Sequence, residues 1–445
     1  MPSFLMRMVL RNAVLTFFVT FAEAQAPAPE ACAKEFLDVL VKQDFPAAQA
    51  MLNASMAGQL TVPALEQLWK KVQQGVGPFR RVTGVRIESS DSNDVVFLTC
   101  EFEKGTFDLR LPVDKSGHIG GLNLSRHVEY KPPDYVDTSS FHEKEVIVGS
   151  GVWSVHGTLT IPNGEGPFPA LVLVHGSGAA NRDYALGPNM AFRDLAWGVA
   201  TRGVAVLRYN KSVNEHPEMV SKLPRFTVKE ETIDDALSAV ALLRKTPGID
   251  PRRIFVLGHS LGATLVPRIA KADPGIAGLV VMGGTTHSLV DLLVPQTIHN
   301  LTQHGSMTAA QQKMVDRLRE QVARANDPAL TPDAPASELP LGMSASYILD
   351  LRGYHPEQVA RELKQPILIL QGERDYQVTM EDFETWKSGL AGKKNVEFRS
   401  YPKLNHLFMP GEGVSTDEEY AQPGHIWQPV VEDIAAWVKS GHTEF

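Results

Sequence analysis

Residues 254–270 read IFVLGHSLGATLVPRIA. The apolar run Ile254–Leu257 has the length of a buried strand, Leu261–Ala272 has helical spacing, and Gly258-His259-Ser260-Leu261-Gly262 must turn the chain between them. A G-x-S-x-G turn joining a strand to a helix is tight and strained. Side chains at its two glycines would strike neighbouring backbone, and the turn lifts the serine hydroxyl clear of the sheet edge. The following helix sets its N-terminal dipole and free N–H groups beneath any negative charge that develops there. Ser260 is therefore the candidate nucleophile.

Strands and helices alternate on both sides of this unit. Phe141–Val148 and Val152–Ile161 read as a leading antiparallel pair. The series continues as strand Ala170–Val174, helix Met190–Arg202, strand Val204–Tyr209, helix Val228–Lys245, the 254–272 unit, and strand Ile276–Met282. Thr227 and Glu230 form a capping box before the fourth of these, and Pro247-Gly248 marks its end. Runs such as LVLV (171–174) are continuously apolar, as a parallel sheet covered on both faces requires. From Gly284 to about Glu362 a mostly helical insertion interrupts the rhythm; Met307–Ala325 has amphipathic spacing and Asp327–Leu339 is rich in proline and alanine. Strand Ile367–Leu370, helix Met380–Leu390, strand Val396–Tyr401 and helix Val430–Lys439 then resume it. Alternation of this kind predicts an α/β fold with a mostly parallel, doubly wound sheet. The insertion is expected to cap the site.

A serine hydroxyl needs a base to remove its proton, and that base needs an orienting acid. Asp375 follows strand Ile367–Leu370 and His406 follows strand Val396–Tyr401, so both leave the sheet at the same edge as Ser260. Glu373 and His425 are their rivals; His425 follows no strand. His259 is read as structural. An ester attacked by serine becomes an oxyanion that needs fixed N–H donors. The Leu261 amide is one; the loop His175-Gly176-Ser177-Gly178 supplies the other, assigned to Ser177 with Gly176 as the nearest alternative.

Three helical patterns (Ala31–Gln43, Phe45–Asn53, Thr61–Val76) and four strands (Val82–Ser89, Asp94–Lys104, Thr106–Val113, Ile119–Leu124) precede the alternating region. They predict a small α+β domain over 30–127, joined through a linker at 128–140, with Pro132-Pro133, to a catalytic domain at 141–445. Arg7 and Arg11, the apolar stretch Ala13–Phe21, and Ala22-Glu23-Ala24 read as a signal peptide over 1–24, so the mature protein is expected to be exported. The apolar stretch is too short to span a bilayer, which takes about 20 residues, and no later segment is long enough. Cys32 and Cys100 are the two cysteines; an exported chain allows a disulfide between them, and two small buried hydrophobes are the other reading. The residues before Cys32 lack the apolar position of a lipidation site.

The formal net charge of −8, without any basic run, argues against nucleic acid as a partner. The stretch after Gly176 lacks the third glycine of a dinucleotide fingerprint, and neither a phosphate-binding loop nor an HExxH metal motif occurs. No cofactor or metal is expected. Oligomeric state is not legible.

In HGSGAANRDYALGPNMAFRDLA (175–196), VAVLRYNKS (204–212), FTVKEETIDDALSAVALLR (226–244), IFVLGHSLGATLVPRIA (254–270), ILILQGERDYQV (367–378) and YPKLNHLF (401–408), the chain resembles bacterial α/β-hydrolase serine esterases that carry a small N-terminal α+β domain. The resemblance covers most of the chain after residue 24. It implies an α/β-hydrolase fold, a small-molecule ester substrate with a short acyl chain, and the triad Ser260, Asp375, His406. Ala263 stands where such proteins often have a glycine, and Asn210 where an aspartate is common. Arg182 and Asp183 are expected to pair and hold the oxyanion loop. Thioesters, or amides and peptides, are alternative substrates for the same triad, and a catalytically silent binding protein is a further alternative.

Overall fold

The computed structural model describes residues 28–89, 93–127 and 129–440. The signal-peptide reading of residues 1–24 lies outside the described residues. The chain divides after Arg126 into two units.

In the first unit α1 (Pro29–Val41), α2 (Phe45–Ala50), α3 (Ala54–Gln59) and α4 (Val62–Val76) precede an antiparallel sheet ordered β1 (Phe79–Ser89), β2 (Asn93–Phe102), β3 (Gly105–Asp114), β4 (Asn123–Arg126). Asn53, expected to end the second helix, instead caps α3: its side chain accepts from the Met56 amide at 3.0 Å. The last strand starts later than expected, because Ile119 is held in single bridges to Leu52 and Val113. Phe36, Leu40, Trp69, Leu98 and Leu111 fill the core. Cys32 and Cys100 are both buried there. Burial pushes the Cys100 thiol up to about 12, so it sits as a small protonated hydrophobe.

The second unit begins with β5 (Phe141–Val148), β6 (Val155–Pro162) and β7 (Phe168–Val174), then the two-stranded ribbon β8 (Ala185–Leu186) and β9 (Asn189–Met190). It continues through α5 (Ala191–Thr201), β10 (Ala205–Tyr209), α6 (Ser212–Glu215), α7 (Pro217–Val220), a π turn over Lys229–Ile233, α8 (Asp234–Arg244), β11 (Ile249–His259), α9 (Leu261–Ala272) and β12 (Gly278–Met282). The inserted helices are α10 (Leu289–Thr302), α11 (Ala309–Asn326), α12 (Ala345–Leu351) and α13 (Pro356–Glu362); β13 (Ile367–Gly372), α14 (Met380–Gly389), β14 (Val396–Tyr401) and α15 (Gln428–Ser440) complete the unit.

Eight strands form one sheet in the order β14-β13-β12-β11-β7-β10-β6-β5. Pairing is parallel from β10 to β14 and antiparallel at β10–β6 and β6–β5. Along β7, Val172 and Val174 face one apolar layer while Leu171 and Leu173 face the other, which is why the strand shows no polar alternation. The chain leaves β7 toward β10 on one side and returns to β11 on the other. The carboxyl ends of β7 and β11 thus flank the point where strand order reverses, the usual place for a ligand crevice.

The segment expected as a linker is anchored on this second unit. Tyr130 donates to Asp194 at 2.7 Å and Tyr135 to the Ile426 carbonyl at 2.8 Å, bonds that spacing in sequence could not reveal. At the capping box, Glu230 accepts from the Thr227 amide, but Thr227 Oγ1 accepts from Lys229 because the first turn is a π turn. Val290, Ala325, Leu330, Leu339, Ala345 and Ile348 give the insertion its own apolar cluster. It seats on α9: Tyr354 donates to the Thr264 carbonyl at 2.7 Å and Arg268 pairs with Asp350 at 2.9 Å. No helix among the described residues is long and apolar enough to cross a membrane.

Candidate active site

Ser260 ends the β11 turn at φ 56°, ψ −123°, a conformation L residues rarely hold. The flanking glycines make it feasible. A Cβ on Gly258 would lie 2.2 Å from the Gly262 carbonyl oxygen, and one on Gly262 would lie 2.4 Å from that of Val174. Backbone packs where side chains would stand. Ala263, the departure from the usual glycine, has its room left by Gly284, whose own Cβ would come within 2.9 Å of the Ala263 methyl.

His406 and Asp375 come together from the ends of β14 and β13: His406 Nδ1 donates to Asp375 Oδ2 at 2.6 Å, and both residues are buried. The other carboxylate oxygen accepts from the Gln377 and Val378 amides at 2.8 and 2.9 Å, which fixes the acid's rotamer. His259 Nε2 donates to the His406 carbonyl at 2.8 Å and the two rings lie 4.6 Å apart, so His259 braces the backbone that carries His406. Burial holds His259 and His175 down to about 3, and both imidazoles are neutral. The rivals lie elsewhere. Glu373 accepts from Ser400 and His425 pairs with Asp194.

Ser260, His406 and Ser177 line one chamber of about 380 Å³, together with Asn181, Tyr184 and Gln377. No hydrogen bond joins Ser260 to His406 among the described residues; such bonds often close only when substrate is bound. A second, largely apolar cavity of about 780 Å³ lies between the insertion and the α6–α8 region, lined by Val213, Phe226, Leu289 and Met343 among others. Ser177 and Ala179 border both spaces. Leu261 opens α9, where the first amides of a helix have no partner within it.

The Ser177 loop is pinned on either side. Glu231 Oε1 accepts from the Gly178 amide at 2.7 Å, and Lys211 donates to the Gly176 carbonyl at 2.8 Å. Lys211 also pairs with Glu231 at 2.8 Å, and burial lowers its ammonium pKa. Burial pushes the pKa of the Tyr184 phenol, beside Gly176, up to about 12. A Cβ on Gly176 would lie 2.4 Å from that phenol oxygen and 3.1 Å from Ser260 Cβ, so only glycine allows this approach. Arg182 and Asp183 do not pair with each other. Arg182 bonds Glu145, and Asp183 takes Arg193 and the buried Arg208, partners on neighbouring elements that reach them only in the folded sheet. Asn210 accepts from the Arg182 amide at 2.9 Å and donates to Glu215 at 3.1 Å; an aspartate could not make the second bond.

Lys211, Glu231 and Tyr347 were not legible as site residues. The one hint is a lysine two residues beyond an apolar strand end; its partners lie 20 and more residues away. No group of three or more His, Cys, Asp or Glu suited to a metal occurs among the described residues.

Comparison with known proteins places these features in company. Residues 171–422 match the family model described as the alpha/beta hydrolase family, and residues 33–122 match a family described as a protein of unknown function (DUF3887). The chain is 35% identical over 410 residues to Esterase EstD of Thermotoga maritima, covering 91% of this chain and 93% of that protein. Est1E from Butyrivibrio proteoclasticus is similar in structure at 14% identity and a TM-score of 0.42, over 67% of this chain and 98% of that one. A fungal esterase from Rhizomucor miehei is similar at 17% identity and a TM-score of 0.42, over 68% and 85%.

Proposed function

Because this chain belongs to the alpha/beta hydrolase family, we propose that it hydrolyses carboxylic esters with Ser260 as nucleophile, His406 as general base and acid, and Asp375 as the group that orients it. The observation that carries the reading is the strained serine sharing a chamber with a histidine whose other ring nitrogen is bonded to a buried carboxylate. The likeness to Esterase EstD over nearly the whole chain supports ester as the substrate class.

In the first half-reaction His406 Nε2 takes the Ser260 proton as Oγ bonds to the carbonyl carbon. Asp375 holds the tautomer with Nδ1 protonated and stabilises the imidazolium. The oxyanion sits between the Leu261 and Ser177 amides. The C–O bond to the alcohol then breaks, and the alcohol departs with the proton from His406. Water repeats the attack on the acyl-serine and releases the acid. A chamber of about 380 Å³ beside Ser260 suits a short acyl group, and the larger cavity beyond the Ser177 loop suits the apolar alcohol half.

Ser260→Ala is expected to lower kcat on short-chain esters by about 10⁴- to 10⁶-fold. Loss of labelling by a fluorophosphonate should accompany it. A variant that still turned over esters at the parent rate would end this reading, and faster turnover of matched thioesters or amides would move the substrate class.

A further inference from the structure

The buried carboxylate of Glu231 accepts from three groups, none of which belongs to the triad. On one side Oε1 holds the Gly178 amide, and through Lys211 the Gly176 carbonyl, so the two residues flanking Ser177 are fixed while the Ser177 amide makes no hydrogen bond among the described residues. On the other side Oε2 accepts from the Tyr347 hydroxyl at 2.5 Å. Tyr347 belongs to α12 of the insertion, and its ring stacks on Phe226 with centroids 5.9 Å apart. Glu231 is 3% exposed and Lys211 1%. Two charges removed from water this completely are tolerated only with their remaining hydrogen bonds filled, so losing one partner disturbs the others.

From this geometry we propose that Glu231 is the positioning residue of the oxyanion loop, and that Tyr347 makes its grip depend on the insertion being seated. The proposal rests on the serine-esterase reading above, which assigns the Ser177 amide to the oxyanion. With the tyrosine in place, Oε1 has two donors and Oε2 has one, and together they hold Glu231 in one rotamer. When α12 lifts, Oε2 loses its donor, the carboxylate can rotate toward water, and the Gly178 amide is released. The loop then holds its donor in the catalytic direction only under a closed cap. The ester would thus be attacked fastest when bound beneath it.

Tyr347→Phe tests this with little change in packing, since the ring and its stack on Phe226 remain. Turnover is measured per active site, by titrating Ser260 with a fluorophosphonate, so that unfolded protein does not count. The expected result is a fall in kcat of about tenfold, the worth of one hydrogen bond to a charged group, with KM nearly unchanged. Affinity for a boronic-acid analogue of the tetrahedral intermediate should fall by the same factor as kcat/KM. Glu231→Gln is expected to cost about 10²-fold, as for loss of an oxyanion donor, with Glu231→Asp no substitute because its shorter chain cannot span Gly178 and Tyr347. A Tyr347→Phe enzyme with the parent kcat per titrated site overturns the proposal, as does a loss confined to KM. Ser260→Ala run alongside separates the two levels: if it is inactive while Tyr347→Phe is unimpaired, only this inference fails, and if it is active, the serine reading beneath it fails.

Discussion

His259 shares its turn with Ser260 yet does different work. Its ring is buried beside the His406 imidazole, so the charged form is disfavoured and its pKa lies near 3 instead of the ordinary 6.5, although the Nε2 bond to the His406 carbonyl works the other way. Below about pH 6.5 the unfolded chain takes up a proton that the folded one refuses, so stability falls with pH until about 3, where the folded form also protonates. His175 adds to the same trend. His259→Phe should therefore flatten the acid limb of a plot of urea midpoint against pH, between about pH 7 and about pH 4. An unchanged slope would contradict the burial assigned to this ring. The need for glycine at 258 and 262 could be reasoned from the motif, since the elbow itself implies close backbone. The partners of Arg182 and Asp183 could not: adjacent opposite charges suggest a pair, while the folded sheet offers each a better-placed partner.

At the scale of elements, the strands and helices around Ser260 were readable because period and punctuation agree there. Leu261–Ala272 and Val396–Tyr401 occur with the bounds their patterns imply. The short α3 and the π turn before α8 were not readable, since each is a local adjustment to packing and caps with no period of its own. The strip where β12 enters the insertion shows such local chemistry at its densest. Asp382 in α14 accepts from Thr285 Oγ1 at 2.9 Å, the Thr286 amide at 2.7 Å, and His287 Nδ1 at 2.7 Å, while its other oxygen caps its own helix through the Thr379 amide. It ties the root of the insertion to the core. Asp382→Ala leaves the Thr285 hydroxyl and the Thr286 amide buried without this acceptor and is expected to cost about 3 kcal/mol, read as a lower urea midpoint. A change under about 0.5 kcal/mol would mean that these donors find other partners.

The chain divides into two units, and the Ser260 chamber belongs to the second. Its sheet order explains why residues as far apart as 177, 260, 375 and 406 could be read as one candidate site: each follows a parallel strand, and parallel strands deliver their following loops to one edge. Which space each loop would enclose was not legible, because it depends on how the insertion folds back. Ser177 and Ala179 form a partition with a chamber on either face. A cleaved ester straddling that partition would leave its acid and its alcohol on opposite sides. Added back together, the two products should then inhibit without excluding one another, giving intersecting lines in a double-inhibition plot; parallel lines would mean that both compete for a single space.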